Sequence, residues 1–327
     1  MKQFRVVLTG LVTGLAFSLA LTCAGAAILA YGGAWKIRLD LLTHFAPFWF
    51  VGGLTASLMA LFLPKGAPRA MTLGLGLAAT LAAAGLIAPE YLRPMSPKAR
   101  ADAPHRLKIV QFNAWGFRGP RDLDIQWIAA QNPDVIVVEE ASPQVREAFL
   151  AVRPYHVTCG DCTVMIFSLR TPISSHIARP KRWWPWAPTV RASFPAPGGA
   201  FDVVGVHYTW PTTADQAAQG RMLATALKQF PKDRLILAGD FNSTPWSFAR
   251  RREDALFGIE RRTRGLFSWP ANKFSRYHIQ FPFPFLAIDH IYAGRDWKTV
   301  SIERGPALGS DHYPVVAVLA LDARPLD

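Results

Sequence analysis

The chain has 327 residues, of which 50% are hydrophobic, and its formal net charge is +13. Its mean hydropathy of +0.14 is high for a protein with one water-soluble domain. The composition therefore excludes a single soluble domain as the simplest organisation, and it favours a membrane-inserted part joined to one globular domain of ordinary size.

Three apolar segments occupy the amino-terminal part. Residues 6–35 and 70–89 carry no charged side chain, and residues 41–64 carry only His44 as a titratable group. A helix needs roughly 20 apolar residues to cross about 30 Å of hydrocarbon, and each segment meets that length. We predict three transmembrane helices, over about residues 6–31, 42–63 and 70–89, within a membrane region of residues 1–92.

A cleavable signal peptide is the alternative interpretation of the first apolar segment. Lys2 and Arg5 form a basic start, and small residues lie around Cys23. The apolar run continues to Ala34, however, which is longer than a typical signal-peptide core, and two further apolar segments follow. We therefore expect the first segment to be retained as a helix.

The flanking charges do not fix the orientation, because Lys and Arg residues lie on both sides of every predicted span. With a cytoplasmic amino terminus, three crossings would place all residues after Pro89 outside the cytoplasm. We expect an integral protein of the cell (inner) membrane whose globular domain is extracytoplasmic, in the periplasm.

Cys159 and Cys162 form a CxxC pair in the globular part. In a reducing compartment such a pair is redox-active or half of a zinc site, but there is no second CxxC and no thioredoxin-like pattern around it. We favour a short disulfide, which agrees with an oxidising compartment.

Residues 93–104 are predicted to be a linker, and residues 105–327 a globular domain. Helical spacing of apolar residues covers Asp122 to Gln131 and Thr213 to Gln229. Seven runs are typical of strands: RLKIVQFN (106–113), PDVIVVEE (133–140), TVMIFSL (163–169), AFDVVGVHY (200–208), RLILAGDFN (234–242), LAIDHIYA (286–293) and YPVVAVLAL (313–321). Many strands and few helices favour an α+β sandwich over a doubly wound sheet.

Polar side chains stand at the ends of these runs. They are Asn113, Glu139, Glu140, His207, Asp240, Asn242, Asp289, His290, Asp311 and His312. One such residue would mean little, because turns favour Asp and Asn, but six separate strand ends in one domain indicate a shared polar site. Asp240 and Asn242 lie two positions apart, so an extended chain would project both from one face of the strand tip.

The motifs KIVQFNAWG, NPDVIVVEE, GVHYTWP, LAGDFNSTP, IDHIYA and GSDHYPV occur in the order expected of a known superfamily. The chain resembles the endonuclease/exonuclease/phosphatase superfamily, also called DNase I-like, over about residues 106–322. The combination of GDFN with a later SDHxP is specific, whereas either motif alone would be weak. The resemblance implies a four-layer α/β/β/α sandwich with the site at one end.

The resemblance also implies hydrolysis of a phosphate ester with a divalent metal, usually Mg²⁺, with Mn²⁺ as an alternative. Glu140 matches the family's metal-binding Glu, Asn113 would contact the metal or the phosphate, and Asp311 would lie beside the metal. Carboxylate and carboxamide oxygens suit Mg²⁺ far better than Zn²⁺.

His312 matches the family's catalytic histidine, and Asp289 matches the acid that orients it. The imidazole would act either as the base that activates water or as an electrostatic anchor. By the same resemblance, Asp240 would position the water or support the metal. Asn242 would donate a hydrogen bond to the phosphate, and His207 would contact the phosphate or assist the leaving group.

Two positions depart from the family pattern. Glu139 stands where the family normally has Gln, and His290 stands where it often has Tyr. Glu139 is also the rival of Glu140 for the metal, because strand alternation would put the two side chains on opposite faces and leave only one in the site.

The substrate class stays open between nucleic acid and a phospholipid or sphingolipid. After residue 103 the chain has 27 Lys and Arg against 20 Asp and Glu, a net charge of +7 that favours an anionic partner. The run RPKRWWPWAP (179–188) suits a membrane interface or stacking on bases, and residues 250–264 form a second basic run. Either run would otherwise be a solvated loop.

We therefore predict a membrane-anchored, metal-dependent phosphodiesterase. Its partners would be an anionic phosphate-ester substrate, nucleic acid or lipid, and the bilayer, with no obligate protein partner. The alternative is a non-catalytic, membrane-tethered binding module with the same fold. Such a module would be expected to have lost a metal carboxylate or the His/Asp pair, and this sequence retains both.

Overall fold

In a computed structural model, the chain is described over residues 2–116, 122–160, 162–177, 187–212, 214–271 and 281–322. It divides into two compact units. The first unit consists of Met1–Arg93, Pro211–Thr213 and Trp246–Arg251. The second consists of Pro94–Trp210, Ala214–Pro245 and Arg252–Asp327.

Three long apolar helices form most of the first unit. They are α1 (Lys2–Ala30), α3 (Ala46–Leu61) and α4 (Ala67–Leu92), and the single-turn helix α2 (Ile37–Asp40) lies between the first two with the 3-10 turns Tyr31–Ala34 and Leu41–Phe45. The stretches Gln3–Ala34, Ile37–Leu61 and Ala67–Leu92 are long and apolar enough to cross a membrane. The three predicted helices are confirmed, and the second stretch begins earlier than predicted because α2 and its following turn extend it.

Small residues bring α3 and α4 close together. A Cβ atom added at Gly53 would lie 2.8 Å from the carbonyl oxygen of Gly76, and one added at Gly76 would lie 2.9 Å from the carbonyl oxygen of Gly53. The hydroxyl of Tyr31 donates a hydrogen bond of 2.9 Å to the carbonyl of Ala82 in α4. Close backbone approach through small residues is how helices associate where no hydrophobic effect drives them together.

The one carboxylate of α2 is buried against a helix start within the same unit. The two carboxylate oxygens of Asp40 accept the backbone N–H groups of Phe248 (2.9 Å) and Ala249 (2.8 Å), the first residues of a helix. The first N–H groups of a helix lack partners within the helix and carry partial positive charge, so a carboxylate there is well compensated.

Two six-stranded sheets form the centre of the second unit. The strands are β1 (Arg106–Asn113), β2 (Val135–Glu139), β3 (His156–Cys159), β4 (Val164–Ser168), β5 (Ser174–Ile177), β6 (Thr189–Ala196), β7 (Gly199–His207), β8 (Leu235–Asp240), β9 (Glu260–Arg261), β10 (Asp289–Ala293), β11 (Trp297–Arg304) and β12 (Val315–Leu321). The first sheet has the order β11-β12-β1-β2-β4-β3, and the second has the order β5-β6-β7-β8-β10-β9. The helices are α5 (Asp122–Ala130), α6 (Pro143–Val152), α7 (Ala214–Leu227) and α8 (Phe248–Phe257).

Three apolar cores of the second unit define its four layers. The central core joins the two sheets through residues such as Val137 from the first and Val203 from the second. An outer core packs α5 and α6 on the first sheet, with Ile128 and Phe149 among its members. A third core packs α7 and the end of α8 on the second sheet. The predicted α/β/β/α sandwich is confirmed.

The face of each strand that lines the central core changes character at one end. In β1, Leu107 and Ile109 belong to the core and are followed on the same face by Gln111 and Asn113. In β8, Ile236 and Ala238 belong to the core and are followed by Asp240. Because successive same-face positions are two residues apart, an apolar face runs directly into polar side chains at this end of the sandwich.

The seven strands predicted from sequence are confirmed. The two predicted helices of this unit correspond to α5 and α7, and their ends agree to within two residues. The elements that sequence reasoning missed are shorter or more polar: β3, β5, β6, β9, β11, α6 and α8. The start of α6 did carry a signature, because Ser142 caps the helix through Val145 N–H just before Pro143.

The interpretation of residues 250–264 as a solvated loop is wrong. This segment contains most of α8 and all of β9, and Arg250, Arg261 and Arg262 are buried. Arg261 pairs with Asp254 at 3.0 Å, and Arg262 donates hydrogen bonds to the carbonyls of three residues, Ala293, Gly294 and Trp297. These cations stabilise the fold, so they add little to an anion-binding surface.

Candidate active site

Backbone pairing brings the polar strand ends together. On the second sheet, Asp240 is the register partner of both His207 and Asp289. On the first sheet, Asn113 is the register partner of Glu139. All five residues lie at the end of a strand, where the central core is no longer filled by apolar side chains.

A buried Asp–His pair lies at the centre of this site. The Nδ1 atom of His312 is 2.9 Å from Oδ2 of Asp289, and its Nε2 atom is 3.7 Å from Oδ2 of Asp240. The loop that carries His312 is anchored by Ser310, whose hydroxyl accepts the His312 N–H and donates to the carbonyl of Asn113. The Nδ1 hydrogen bond and the anchored loop therefore fix the ring, with Nε2 facing Asp240.

Asn113 links the two sheets at the site. Its amide nitrogen donates to Oε1 of Glu140 (3.2 Å) and to Oδ2 of Asp240 (3.1 Å), while its oxygen accepts the Trp115 N–H. His207 completes the group, since its Nε2 lies 3.7 Å from the same two carboxylate oxygens. The amide nitrogen of Asn113, rather than the predicted oxygen ligand, faces the acids in this structure.

Both acids of the Glu139–Glu140 pair face the site, so the prediction that strand alternation would separate them is wrong. Glu139 continues the interior face of β2, is fully buried and accepts a hydrogen bond from the Gln111 amide. Glu140 has a φ of 46°, in the left-handed region that an extended strand does not use. This turn breaks the alternation and brings the Glu140 carboxylate back to Asn113.

Asn242 and Asp311 each keep one buried oxygen without a hydrogen-bond partner among the described residues. The Asn242 amide nitrogen donates to the Tyr208 carbonyl, and its backbone N–H donates to Oδ1 of Asp240. The other oxygen of Asp311 accepts the indole N–H of Trp269 at 3.2 Å. Buried oxygens of this kind are usually satisfied, so these two are available to a ligand.

Burial raises the pKa of three of the acids. Desolvation lifts the pKa of Glu139 well above its ordinary value and also raises that of Glu140, and in both cases the Asp289 charge adds to the effect. Desolvation together with Asp289 raises the pKa of Asp240 to about 8, although His312 and the N–H groups of Asn242 and Asn113 oppose it. The site therefore concentrates negative charge that nearby cations must offset.

The two histidines have opposite electrostatics. Burial alone would lower the pKa of His312, but the charges of Asp289 and Asp240 raise it well above its ordinary value. Burial alone would raise the pKa of Asp289. The charge of His312 and the hydrogen bonds from His312, Ser268 and Gln111 outweigh burial and lower this pKa. Burial and the charge of His312 lower the pKa of His207 to about 4. The raised pKa favours the protonated form of His312, whereas a pKa of about 4 leaves His207 neutral at pH 7, so its 3.7 Å approaches to acids are not ion pairs.

The oxygen-rich donor set fits a hard divalent cation. Asp240, Asp289 and His312 present ligand atoms that all lie within 4.8 Å of one another. Asp289, however, already accepts hydrogen bonds from His312 and Gln111 on its two oxygens. Glu140, with Asp311 and its unpartnered oxygen, is therefore better suited to hold Mg²⁺ or a similar ion next to Asp240.

Sequence reasoning missed Gln111 and Trp269. Gln111 was detectable in principle, because it is a polar residue inside an apolar strand and lies two positions before Asn113 on the same face. Trp269 lies in an irregular segment, where neither periodicity nor a motif marks it. Trp269 belongs to the site through its hydrogen bond to Asp311, a tertiary contact that the sequence does not indicate.

Three other sequence predictions fall outside the cluster of acids and imidazoles. His290 is buried, with Nδ1 3.0 Å from the Thr263 hydroxyl and Nε2 2.9 Å from the Ser243 carbonyl. Cys159 and Cys162 form the predicted disulfide. The run RPKRWWPWAP lies outside the described residues except for its last two positions.

The chain belongs to the endonuclease/exonuclease/phosphatase family. The family model matches residues 110–312, which include every residue of the cluster described above. Members of this family are in general hydrolases of phosphate esters. Among curated proteins, no sequence is significantly similar to this chain.

Several solved structures share the fold of the second unit. An endonuclease/exonuclease/phosphatase family protein from Bacteroides thetaiotaomicron has a TM-score of 0.53 and 17% identity, covering 67% of this chain and 99% of its own. TDP2 from D. rerio, complexed with a single-strand DNA product, has a TM-score of 0.52 and 18% identity, covering 65% and 98%. A conserved protein of unknown function from Enterococcus faecalis V583 has a TM-score of 0.51 and 16% identity, covering 66% and 100%. At these identities the likeness establishes the fold.

We expect Mg²⁺ to raise the melting temperature of the full-length protein in detergent micelles. A ligand that binds only the folded state at about 100 times its Kd stabilises a protein by about 2.7 kcal/mol. Glu140→Gln should lose most of this effect because it removes one charge from the cation site. The measurement is a thermal unfolding curve with and without Mg²⁺.

The matched control is Glu147→Gln, since Glu147 is exposed on α6 and lies outside the cluster. This variant should keep the full Mg²⁺-dependent shift. An equal shift in Glu140→Gln, or no shift in the unmodified protein, would contradict the assigned cation site.

Proposed function

We propose that this protein is a membrane-anchored, divalent-metal-dependent phosphodiesterase. The observation that carries the proposal is the buried cluster of Asp240, Asp289 and His312, joined through Asn113 to Glu140. Phosphodiester hydrolysis requires positive charge on the phosphate, a group that takes a proton from water and donors to the developing oxyanion. The cluster offers a candidate for each requirement.

In this proposal Glu140, Asp311 and Asn113 form the metal-binding part, with Asn113 holding the Glu140 carboxylate in place. A bound divalent cation would polarise a phosphoryl oxygen and neutralise part of its charge. Neutral His207 would bind the phosphate or assist the leaving group through a ring nitrogen, and Asn242 would donate to the phosphate through the second hydrogen of the amide nitrogen that also bonds to the Tyr208 carbonyl. The raised pKa values of Glu140 and Asp240, caused mainly by desolvation and in part by neighbouring acids, support this assignment, because a bound cation would stabilise their charged forms.

The electrostatics support an anchoring role for His312. Its raised pKa keeps the ring protonated at neutral pH, and a protonated imidazole donates hydrogen bonds but does not accept a proton. Asp240, whose Oδ2 lies 3.7 Å from Nε2 of His312, would accept the proton of an attacking water in its ionised form, which a cation bound beside it would favour. The other role predicted for His312, that of the base, would require the ring to be neutral.

The substrate class remains nucleic acid or lipid, and the rim of the site suits either. Trp210 is 49% exposed, and its ring centroid is 5.6 Å from that of Trp269, the residue bonded to Asp311. The preceding residue, Thr209, is held by the side chains of Gln216 and Gln219. An exposed aromatic ring on a fixed segment would stack on a base or contact the apolar part of a lipid.

Loss of the His312 imidazole should nearly abolish hydrolysis. With bis(p-nitrophenyl) phosphate and saturating Mg²⁺, we expect His312→Ala to lower kcat by about 10²- to 10⁴-fold, the usual contribution of a positioned acid or base. His176→Ala is the control, because His176 is exposed on β5. Undiminished turnover by His312→Ala would contradict the assigned roles, whereas no turnover by the unmodified protein would favour the non-catalytic binding module.

A paired assay should distinguish a nucleic-acid substrate from a lipid substrate. It measures hydrolysis of single-stranded DNA and of phospholipid vesicles, each with and without Mg²⁺. We expect metal-dependent product from one of the two. For that substrate, Trp210→Ala should raise KM about tenfold, given that a stacked group contributes about 1–3 kcal/mol. Leu123→Ala, which removes another exposed apolar side chain, should leave KM unchanged. Inactivity on both substrates would count against catalysis.

The proposed location is the cell (inner) membrane, with the catalytic domain in the periplasm. Three spans and a cytoplasmic amino terminus would give this topology, and the Cys159–Cys162 disulfide supports an oxidising compartment. We expect alkaline phosphatase fused to the carboxy terminus to be active in a bacterial host, because that enzyme needs periplasmic disulfides. Activity only from a cytoplasmic reporter at the same position would reverse the topology.

A further inference from the structure

A buried amide connects the two sheets next to the Asp289–His312 pair. The Nε2 atom of Gln111 lies 2.7 Å from Oδ1 of Asp289 and 2.8 Å from Oε2 of Glu139. Gln111, Asp289 and Glu139 are all fully buried. Gln111 belongs to β1 of the first sheet and Asp289 to β10 of the second, so this hydrogen bond crosses the centre of the sandwich.

The surroundings permit only one orientation of the Gln111 amide. Its NH₂ group has two hydrogens, and each has one carboxylate oxygen to donate to. Rotating the amide by half a turn would place its carbonyl oxygen against the negatively charged Asp289 carboxylate and lose the hydrogen bond to it. Glu139 therefore holds the amide from one side, and the amide holds Asp289 from the other.

Each carboxylate oxygen of Asp289 accepts a hydrogen bond. Oδ1 accepts from Gln111, and Oδ2 lies 2.9 Å from Nδ1 of His312. Two hydrogen bonds on opposite oxygens fix the plane of the carboxylate, and that plane determines how the imidazole is aimed. The Nε2 atom of His312 then points at Asp240, where the proposed chemistry takes place.

We propose that Gln111 is a positioning residue that fixes the Asp289 carboxylate and, through it, the orientation of the His312 ring. The inference rests on the proposed function of the cluster. In this chain Glu139 provides the second acceptor that a donating amide at position 111 needs.

If Gln111 had only a structural role, it would provide hydrogen bonds to the buried acids without affecting the orientation of the His312 ring. The two roles differ in how Gln111 and Asp289 combine. A residue that acts only through Asp289 has no further effect once Asp289 is gone, whereas an independent structural contribution adds to any other substitution. A double-mutant cycle therefore separates them.

The experiment uses the full-length protein in detergent micelles with Mg²⁺ and bis(p-nitrophenyl) phosphate. The variants are Gln111→Met, which keeps the side-chain length and removes the donors, Asp289→Ala, and the double variant. We expect Gln111→Met to lower kcat about 10- to 100-fold, as for other groups that orient a ligand or catalytic side chain, with KM changed less than about twofold. In the Asp289→Ala background, Gln111→Met should not lower kcat further.

Gln219→Met is the matched control, because Gln219 is a buried amide that bonds to Thr209 rather than to Asp289. Any effect of this variant should be the same with and without Asp289→Ala. Wild-type kcat in Gln111→Met, or an equal loss in both backgrounds, would overturn the positioning role.

Melting temperatures of the same four proteins give a readout that needs no turnover. We expect the double variant to melt close to the less stable single variant, because either substitution alone breaks the Gln111–Asp289 bond. Strictly additive shifts would overturn the inference. If the unmodified protein fails to hydrolyse the probe while the melting temperatures remain non-additive, the proposed function fails for that substrate and the coupling of Gln111 to Asp289 stands.

Discussion

A carboxylate that is removed from water must be given donors or a cation, and this requirement governs the end of the sandwich where the polar residues meet. The acids there are Glu139, Glu140, Asp240 and Asp289, and three of them have raised pKa values. The donors to these acids among the described residues include the amides of Gln111 and Asn113, the Asn242 backbone N–H and the His312 ring. One imidazolium does not balance this charge, and a divalent cation is the natural complement.

The site exists only when the two sheets are packed together. Gln111 and Asn113 lie on the same face of β1, and each donates across the sandwich to an acid of the second sheet, Asp289 and Asp240 respectively. The apolar core holds the sheets at the separation these hydrogen bonds need. Fold stability and site geometry are therefore linked through one strand, whose apolar positions pack the core and whose last polar positions bridge to the acids.

Much of the fold and the membership of the site could be predicted from sequence, because both follow from periodicity and order. Apolar runs that end in Asp, Asn or His mark strand tips, and strand tips converge in a sandwich. The direction of individual side chains could not be predicted. The left-handed backbone of Glu140 reverses its expected face, and the buried arginines Arg250, Arg261 and Arg262 cannot be told from solvated ones by composition. Both depend on tertiary contacts that no local pattern encodes.

The two histidines show how the same side chain acquires different properties a few ångströms apart. Both are removed from water, which disfavours the charged ring in each. His312 has a carboxylate directly bonded to Nδ1, and that interaction outweighs desolvation. His207 approaches acids only at 3.7 Å and also faces the charge of His312, so it remains neutral. When two titratable groups in one site are driven to opposite protonation states, their chemical roles separate as well. The hydrogen bond to Asp289, rather than the choice of imidazole itself, favours the charged form of His312.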